Sequence, residues 1–103
     1  MAEIAERFQL TIGTCCHAGD GNTHPVVVFD GQDPEQTARA RESFDAIMAL
    51  GLELGGTITG EHGVGVLKKD WLARELGPLG LELQRRVKQA FDPLGLLNPG
   101  KVL

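Results

Sequence analysis

Apolar and polar positions follow three regimes along this chain, and each predicts an element. The segment "AEIAER", residues 2–7, reads as the end of a helix. Residues 8–15, "FQLTIGTC", carry alternating and β-branched positions and read as a strand. Residues 25–30, "PVVVFD", read as a second strand, with Pro25 at its start, where a missing N–H is tolerated. Between them lie Gly19, Asp20, Gly21 and Asn22, all residues that favour turns. The pattern therefore predicts a hairpin whose stem closes near His17 and His24.

Helical spacing takes over next. Asp33 is placed to cap a helix, Pro34 suits its first position and Glu35 its positive end. Ala40, Phe44, Ile47 and Met48 then define one apolar face, which should end by Gly55 and Gly56. Residues 57–66, "TITGEHGVGV", are too glycine-rich for a helix and read as a short strand running into a loop. A shorter helix is expected around 67–76, with Leu67, Trp71 and Leu72 toward a core. "GPLG" interrupts it, and Leu79, Leu83, Val87 and Phe91 recur every fourth residue on a last helix that Asp92-Pro93 ends. The tail "LGLLNPGKVL" has no period. These elements predict an α+β fold of one compact domain, a hairpin and a short strand packed on helices.

Composition narrows the function. The 103 residues carry a net charge of −4, which argues against a nucleic-acid surface, since such a surface needs clustered Lys and Arg. Arg85, Arg86 and Lys88 read as a solvated helix face. No apolar run reaches the roughly 20 residues that span a bilayer, and the first ten residues lack the pattern of a signal peptide, so a cytoplasmic location is the expectation. Cys15 and Cys16 are adjacent, about 3.8 Å apart at Cα across a trans peptide. A disulfide normally needs about 4.4–6.8 Å, so both are expected as free thiols. A thiolate metal ligand is the alternative, but no second cysteine pair exists to complete a zinc set.

The chemistry lies with the three histidines. Two sit at the ends of "HAGDGNTH", and the third is in "GEHGVG". If His17 and His24 face each other across a hairpin, their Cβ atoms lie about 4.5–5.5 Å apart, which suits a shared divalent metal. Neighbours in an extended chain point to opposite sides, so Glu61 can face that metal while His62 faces elsewhere. Two histidines and one carboxylate leave open positions, as catalytic metals require, and His62 would stand as a general base. The competing reading makes Glu61 and His62 an exposed turn. Asp20 is a further potential ligand, but in an Asp-Gly-Asn turn it is expected to bond the local backbone.

"HAGDGNTHP", "GGTITGEHGVG" and "DPLGLLNPGKVL", in this order and spacing, resemble the end of the FAD-linked oxidase C-terminal domain. That family includes glycolate oxidase flavoprotein subunits, D-lactate dehydrogenases and D-2-hydroxyglutarate dehydrogenases. The resemblance covers about residues 8–103 and implies a ferredoxin-like substrate domain. It implies that His17, His24 and Glu61 bind zinc or manganese, which grips a D-2-hydroxy acid. It further implies that His62 takes the hydroxyl proton and that hydride passes from C2 to FAD. Asn98 and Lys101, in the N-P-G-K tail, are implied to line the flavin site. Two positions depart from the pattern. Cys16 stands where a glycine commonly precedes the first histidine. Val26 stands where some members place a substrate-binding Asn, which leaves the substrate's identity open.

Family members have several hundred residues. The chain is therefore expected to be a C-terminal piece of the substrate and metal domain, lacking the FAD-binding domain and inactive alone. Its expected partners are a small 2-hydroxy acid, the missing FAD-binding domain, an iron–sulfur subunit as in glycolate oxidase types, and a second copy through exposed fragment surface. Peripheral attachment to a membrane in a respiratory complex is a further expectation. The rival functions are a small metal-binding or interaction module without redox chemistry, and a metal hydrolase using Glu61 as base. The latter lacks the H-E-x-x-H helix pattern.

Overall fold

A computed structural model describes all 103 residues, in the order α1 (Ala2–Phe8), β1 (Thr11–His17), β2 (Asn22–Val28), α2 (Pro34–Glu53) and α3 (Lys69–Phe91). The chain divides into two compact units, Met1–Gly55 and Gly56–Leu103. The α+β class holds, with an antiparallel two-stranded sheet and three helices.

In the first unit, α1 ends where Gln9 adopts a left-handed conformation (φ 52°), and the Leu10 N–H bonds back to the Ala5 carbonyl. This turn delays the first strand, so β1 starts at Thr11 rather than Phe8. Phe8 becomes a buried residue of the helix instead. The hairpin also pairs further toward its loop than the apolar pattern indicates, reaching His17↔Asn22. Four residues, 18–21, make the connection. The His17 carbonyl accepts the Asp20 and Gly21 N–H groups, and the Asp20 carboxylate accepts the Asn22 N–H at 3.0 Å. Asp20 thus bonds the local backbone, as its turn context predicts.

Helix α2 begins as its sequence dictates. The Asp33 side chain accepts the Glu35 N–H at 2.9 Å and the Gln36 N–H at 3.3 Å, with Pro34 in the first turn. A third bond, from the Gln36 side-chain amide, contributes most to holding the Asp33 carboxyl below its ordinary value of 3.8. The buried stripe is Ala40, Ser43 and Ile47, while Phe44 and Met48 are half-buried. Ser43 is fully buried because its hydroxyl donates to the Ala40 carbonyl at 2.8 Å, which satisfies the polar atom within the helix itself. Helices α1 and α2 pack on each other and on the hairpin. Ile12, Pro25 and Val27 share one hairpin face and are half-buried, while Val26 and Val28, on the other face, are exposed.

In the second unit the expected short strand is not formed. Residues 57–66 are a loop in which Gly63 (φ 73°) and Gly65 (φ 56°) take left-handed conformations that turn the chain away from an extended path. Helix α3 contains the expected break. Gly77 sits at φ 65° and ψ 179°, outside helical geometry, and Pro78 starts the second arm, where its missing N–H has no helical partner to lose. Trp71 and Leu72 are buried, but Leu67 is exposed, because 65–68 form a turn ahead of the helix. The four-residue stripe of the second arm exists but is uncovered. Leu79 and Phe91 are 85 % and 83 % exposed, and Leu83 and Val87 border a groove of about 490 Å³ with Val102 and Leu103.

Past α3, buried Asp92 organises the tail. Its two carboxylate oxygens accept the Leu96 and Leu97 N–H groups at 2.8 and 2.9 Å and the Lys88 ammonium. Lys88 also donates to the Leu97 carbonyl at 2.7 Å. The Lys88 bond, foremost, holds the Asp92 carboxyl below its ordinary value of 3.8.

Candidate functional site

Two of the predicted ligands lie on the hairpin. His17 and His24 are not direct partners. His17 faces Asn22 and His24 faces Cys15, so the histidines are diagonal neighbours. Alternation still puts both on one face, because residues 15, 17, 22 and 24 share a side of the ladder. Their rings meet edge to face, with centroids 5.2 Å apart and planes at 89°. Their ligand nitrogens come within 4.8 Å of each other. Two metal–nitrogen bonds of about 2.0–2.1 Å place nitrogens up to about 4 Å apart, so small ring rotations fit the pair to one ion. His17 is exposed and His24 half-buried, which leaves the pair open to a ligand.

The diagonal geometry follows from the loop. A directly opposed pair would leave residues 18–23 in the connection. The Asx turn at Asp20 and the bonds to the His17 carbonyl instead close a four-residue loop and set the register two residues away from a direct His17–His24 pairing. Cys15 lies on the histidine face directly opposite His24, and Cys16 on the other face opposite Thr23. Both are exposed free thiols, as expected.

Glu61 and His62 stand in the second unit, on the 57–66 loop. The extended geometry that would point them to opposite sides is absent. Residues 60–62 bend, and Glu61 Oε1 lies 3.8 Å from His62 Nε2. Both side chains are open to solvent, Glu61 at 52 % and His62 at 73 %. Within the loop, the Thr59 hydroxyl donates to the Gly63 carbonyl at 3.1 Å, closing a ring of backbone around Glu61 and His62.

Asn98 and Lys101 are exposed on the tail. Asn98 takes a left-handed conformation (φ 48°), and the Lys101 ammonium bonds the Pro99 carbonyl at 3.3 Å. Two exposed side chains suit one edge of a planar ligand and are too few to grip a dinucleotide. The tail is joined to the 57–66 loop, since the Val102 N–H donates to the Gly65 carbonyl at 2.8 Å.

Comparison with known proteins decides the family. Residues 1–102 match the family described as FAD linked oxidases, C-terminal domain. The chain belongs to this family. Curated relatives align along nearly its whole length. It is 43 % identical to glycolate oxidase subunit GlcD of Bacillus subtilis over 97 % of the chain and 21 % of that relative. The Escherichia coli (strain K12) subunit of the same name is 42 % identical over 98 % of the chain and 20 % of the relative. A D-lactate dehydrogenase of Archaeoglobus fulgidus is 41 % identical over 98 % and 22 %. The chain thus spans about a fifth of the length of these relatives.

Sequence reasoning missed Glu75, Lys88 and Asp92, the side chains that hold the loop and tail. Asp92 had a signal in its Asp-Pro break. Glu75 had none, since an acidic residue in a helix ordinarily faces solvent.

Proposed function

We propose that this chain is the substrate and metal portion of a flavoprotein that oxidises a D-2-hydroxy acid such as glycolate or D-lactate. The observation that carries the reading is the hairpin in a chain of this family. It turns the sequence H-x-G-D-G-N-x-H into two imidazoles on one face, 5.2 Å apart. The names of the relatives, glycolate oxidase subunit and D-lactate dehydrogenase, support the substrate class.

In this reading His17 and His24 would hold a divalent zinc or manganese ion together with Glu61. Bound metal supplies Lewis-acid polarisation of the substrate oxygens, and FAD supplies the hydride acceptor. The ligand set is chemically apt, since imidazole and carboxylate both suit zinc and leave coordination positions open. His62 accepts the proton of the substrate hydroxyl at an imidazole nitrogen. Its exposure suits a group that must meet an incoming acid. Asn98 and Lys101 would line the flavin site, and the FAD phosphates and adenine would be held by the FAD-binding portion. The isolated chain is therefore inactive. Catalysis needs the FAD-binding portion, and an iron–sulfur subunit is a proposed electron acceptor.

The test is oxidation of glycolate and of D- and L-lactate, with a dye acceptor, by the 103 residues alone and joined to a family FAD-binding portion. The reading expects no turnover by the chain alone. It expects D-selective turnover by the joined protein that falls at least a hundredfold in His62→Ala. Metal uptake with no flavin-dependent oxidation in the joined protein would favour the non-redox metal module instead.

A further inference from the structure

The 57–66 loop carries Glu61 and His62 without support from a sheet, so its shape depends on individual tethers. At its entry, one side chain from the first arm of α3 makes two bonds. The Thr57 hydroxyl donates to Glu75 Oε1 at 2.6 Å, and the Ile58 N–H donates to Glu75 Oε2 at 3.0 Å. Ile58 is 4 % exposed, so its N–H needs a protein partner once water is excluded. At the exit, the Val102 N–H holds the Gly65 carbonyl, and the Lys69 ammonium holds the tail through the Gly100 carbonyl at 3.2 Å. Val102 adopts φ 63°, a left-handed conformation that a β-branched residue takes only when its surroundings enforce it.

We infer that Glu75 is a positioning residue, whose carboxylate fixes the loop entry and thereby sets where Glu61 and His62 stand. That this placement serves metal binding and proton transfer rests on the function proposed above. The physical case is the pairing of two donors with two carboxylate oxygens. Two residues, Thr59 and Gly60, separate the anchored Ile58 from Glu61, and the Thr59 bond to Gly63 passes that anchor on to His62. Removing the carboxylate leaves a buried N–H unpaired, and the loop must move to hydrate it. Glutamine can keep both bonds, because its carbonyl accepts from Ile58 and its amide donates to the Thr57 hydroxyl.

The experiment compares the full chain with Glu75→Ala, Glu75→Gln and Thr57→Val. Amide order parameters for residues 59–65 come from nitrogen-15 relaxation, and zinc affinity from calorimetry. In Glu75→Ala, order parameters at Glu61 and His62 should fall below about 0.6, the range of a flexible backbone. Zinc affinity should weaken about tenfold, as when a residue supporting a ligand is lost. Glu75→Gln should restore both, and Thr57→Val should lie between. With Glu61→Ala already present, adding Glu75→Ala should cost no further zinc affinity. Unchanged loop order in a folded Glu75→Ala protein overturns the inference. So does an equal loss of zinc affinity with or without Glu61, since that marks general destabilisation. Absence of zinc binding in the wild type overturns the metal reading, while the order parameters still decide whether Glu75 holds the loop.

Discussion

Residues 1–55 and 56–103 place the candidate site side chains by different physical means. In the first unit a backbone ladder sets His17 and His24, and their spacing follows from strand register. In the second, Glu61 and His62 ride on a loop fixed by the carboxylate of Glu75 and the backbone of the tail. The ladder distributes its support over many bonds. The loop concentrates it in a few, so single substitutions should act more locally there. The units differ in surface as well. Nine of the fourteen acidic residues lie in the first, and seven of the ten Lys and Arg in the second. The second also exposes the Leu79, Leu83, Val87 and Phe91 stripe, the kind of face that a further protein segment or copy covers.

The largest effect should come from the first unit's core. Ile47→Ala should cost about 2–5 kcal/mol in urea unfolding, as buried large-to-small changes do. A cost below about 0.5 kcal/mol would show that the α2 stripe does not hold that unit together.

Acid should act next, and Trp71, the one tryptophan, reports it from within the second unit. The folded state depresses the Asp92 carboxyl, chiefly through Lys88. Its stabilisation is therefore complete above the ordinary value of 3.8 and is lost as pH falls through the depressed folded value. Trp71 fluorescence should show acid unfolding below pH 3.8, with a shallower pH dependence in Asp92→Asn. Identical acid profiles would remove Asp92 from the account. Asp33 carries the same sign in the first unit, where circular dichroism of Asp33→Asn is the matching measurement.

The smallest effect belongs to the uncovered stripe. Leu83→Ser should change stability by no more than about 0.5 kcal/mol, because the side chain is already 64 % exposed. Sedimentation should show less self-association in that variant. A loss of several kcal/mol would mean that the stripe is core rather than surface.

The elements that were legible in the sequence are those with local causes. Asp33-Pro34 announced α2, and Gly77-Pro78 announced the break in α3. Strand ends and register were less legible, because they depend on how the Gln9 turn and the Asp20 turn close, not on the apolar pattern. The diagonal placement of His17 and His24 followed from that register. Motif spacing picked out the hairpin histidines as neighbours, and geometry bears this out. The support from Glu75 depends on bonds to Thr57 and Ile58, 18 and 17 positions earlier in the chain. No local pattern encodes those.

Zinc binding to the purified chain tests the central claim most directly, that the hairpin histidines are metal ligands. The wild-type chain should bind one equivalent of zinc or manganese by calorimetry and elemental analysis. His17→Ala and His24→Ala should each weaken binding by at least tenfold, and Cys15→Ser should leave it unchanged. Equal metal content in the wild type and His24→Ala would contradict the account.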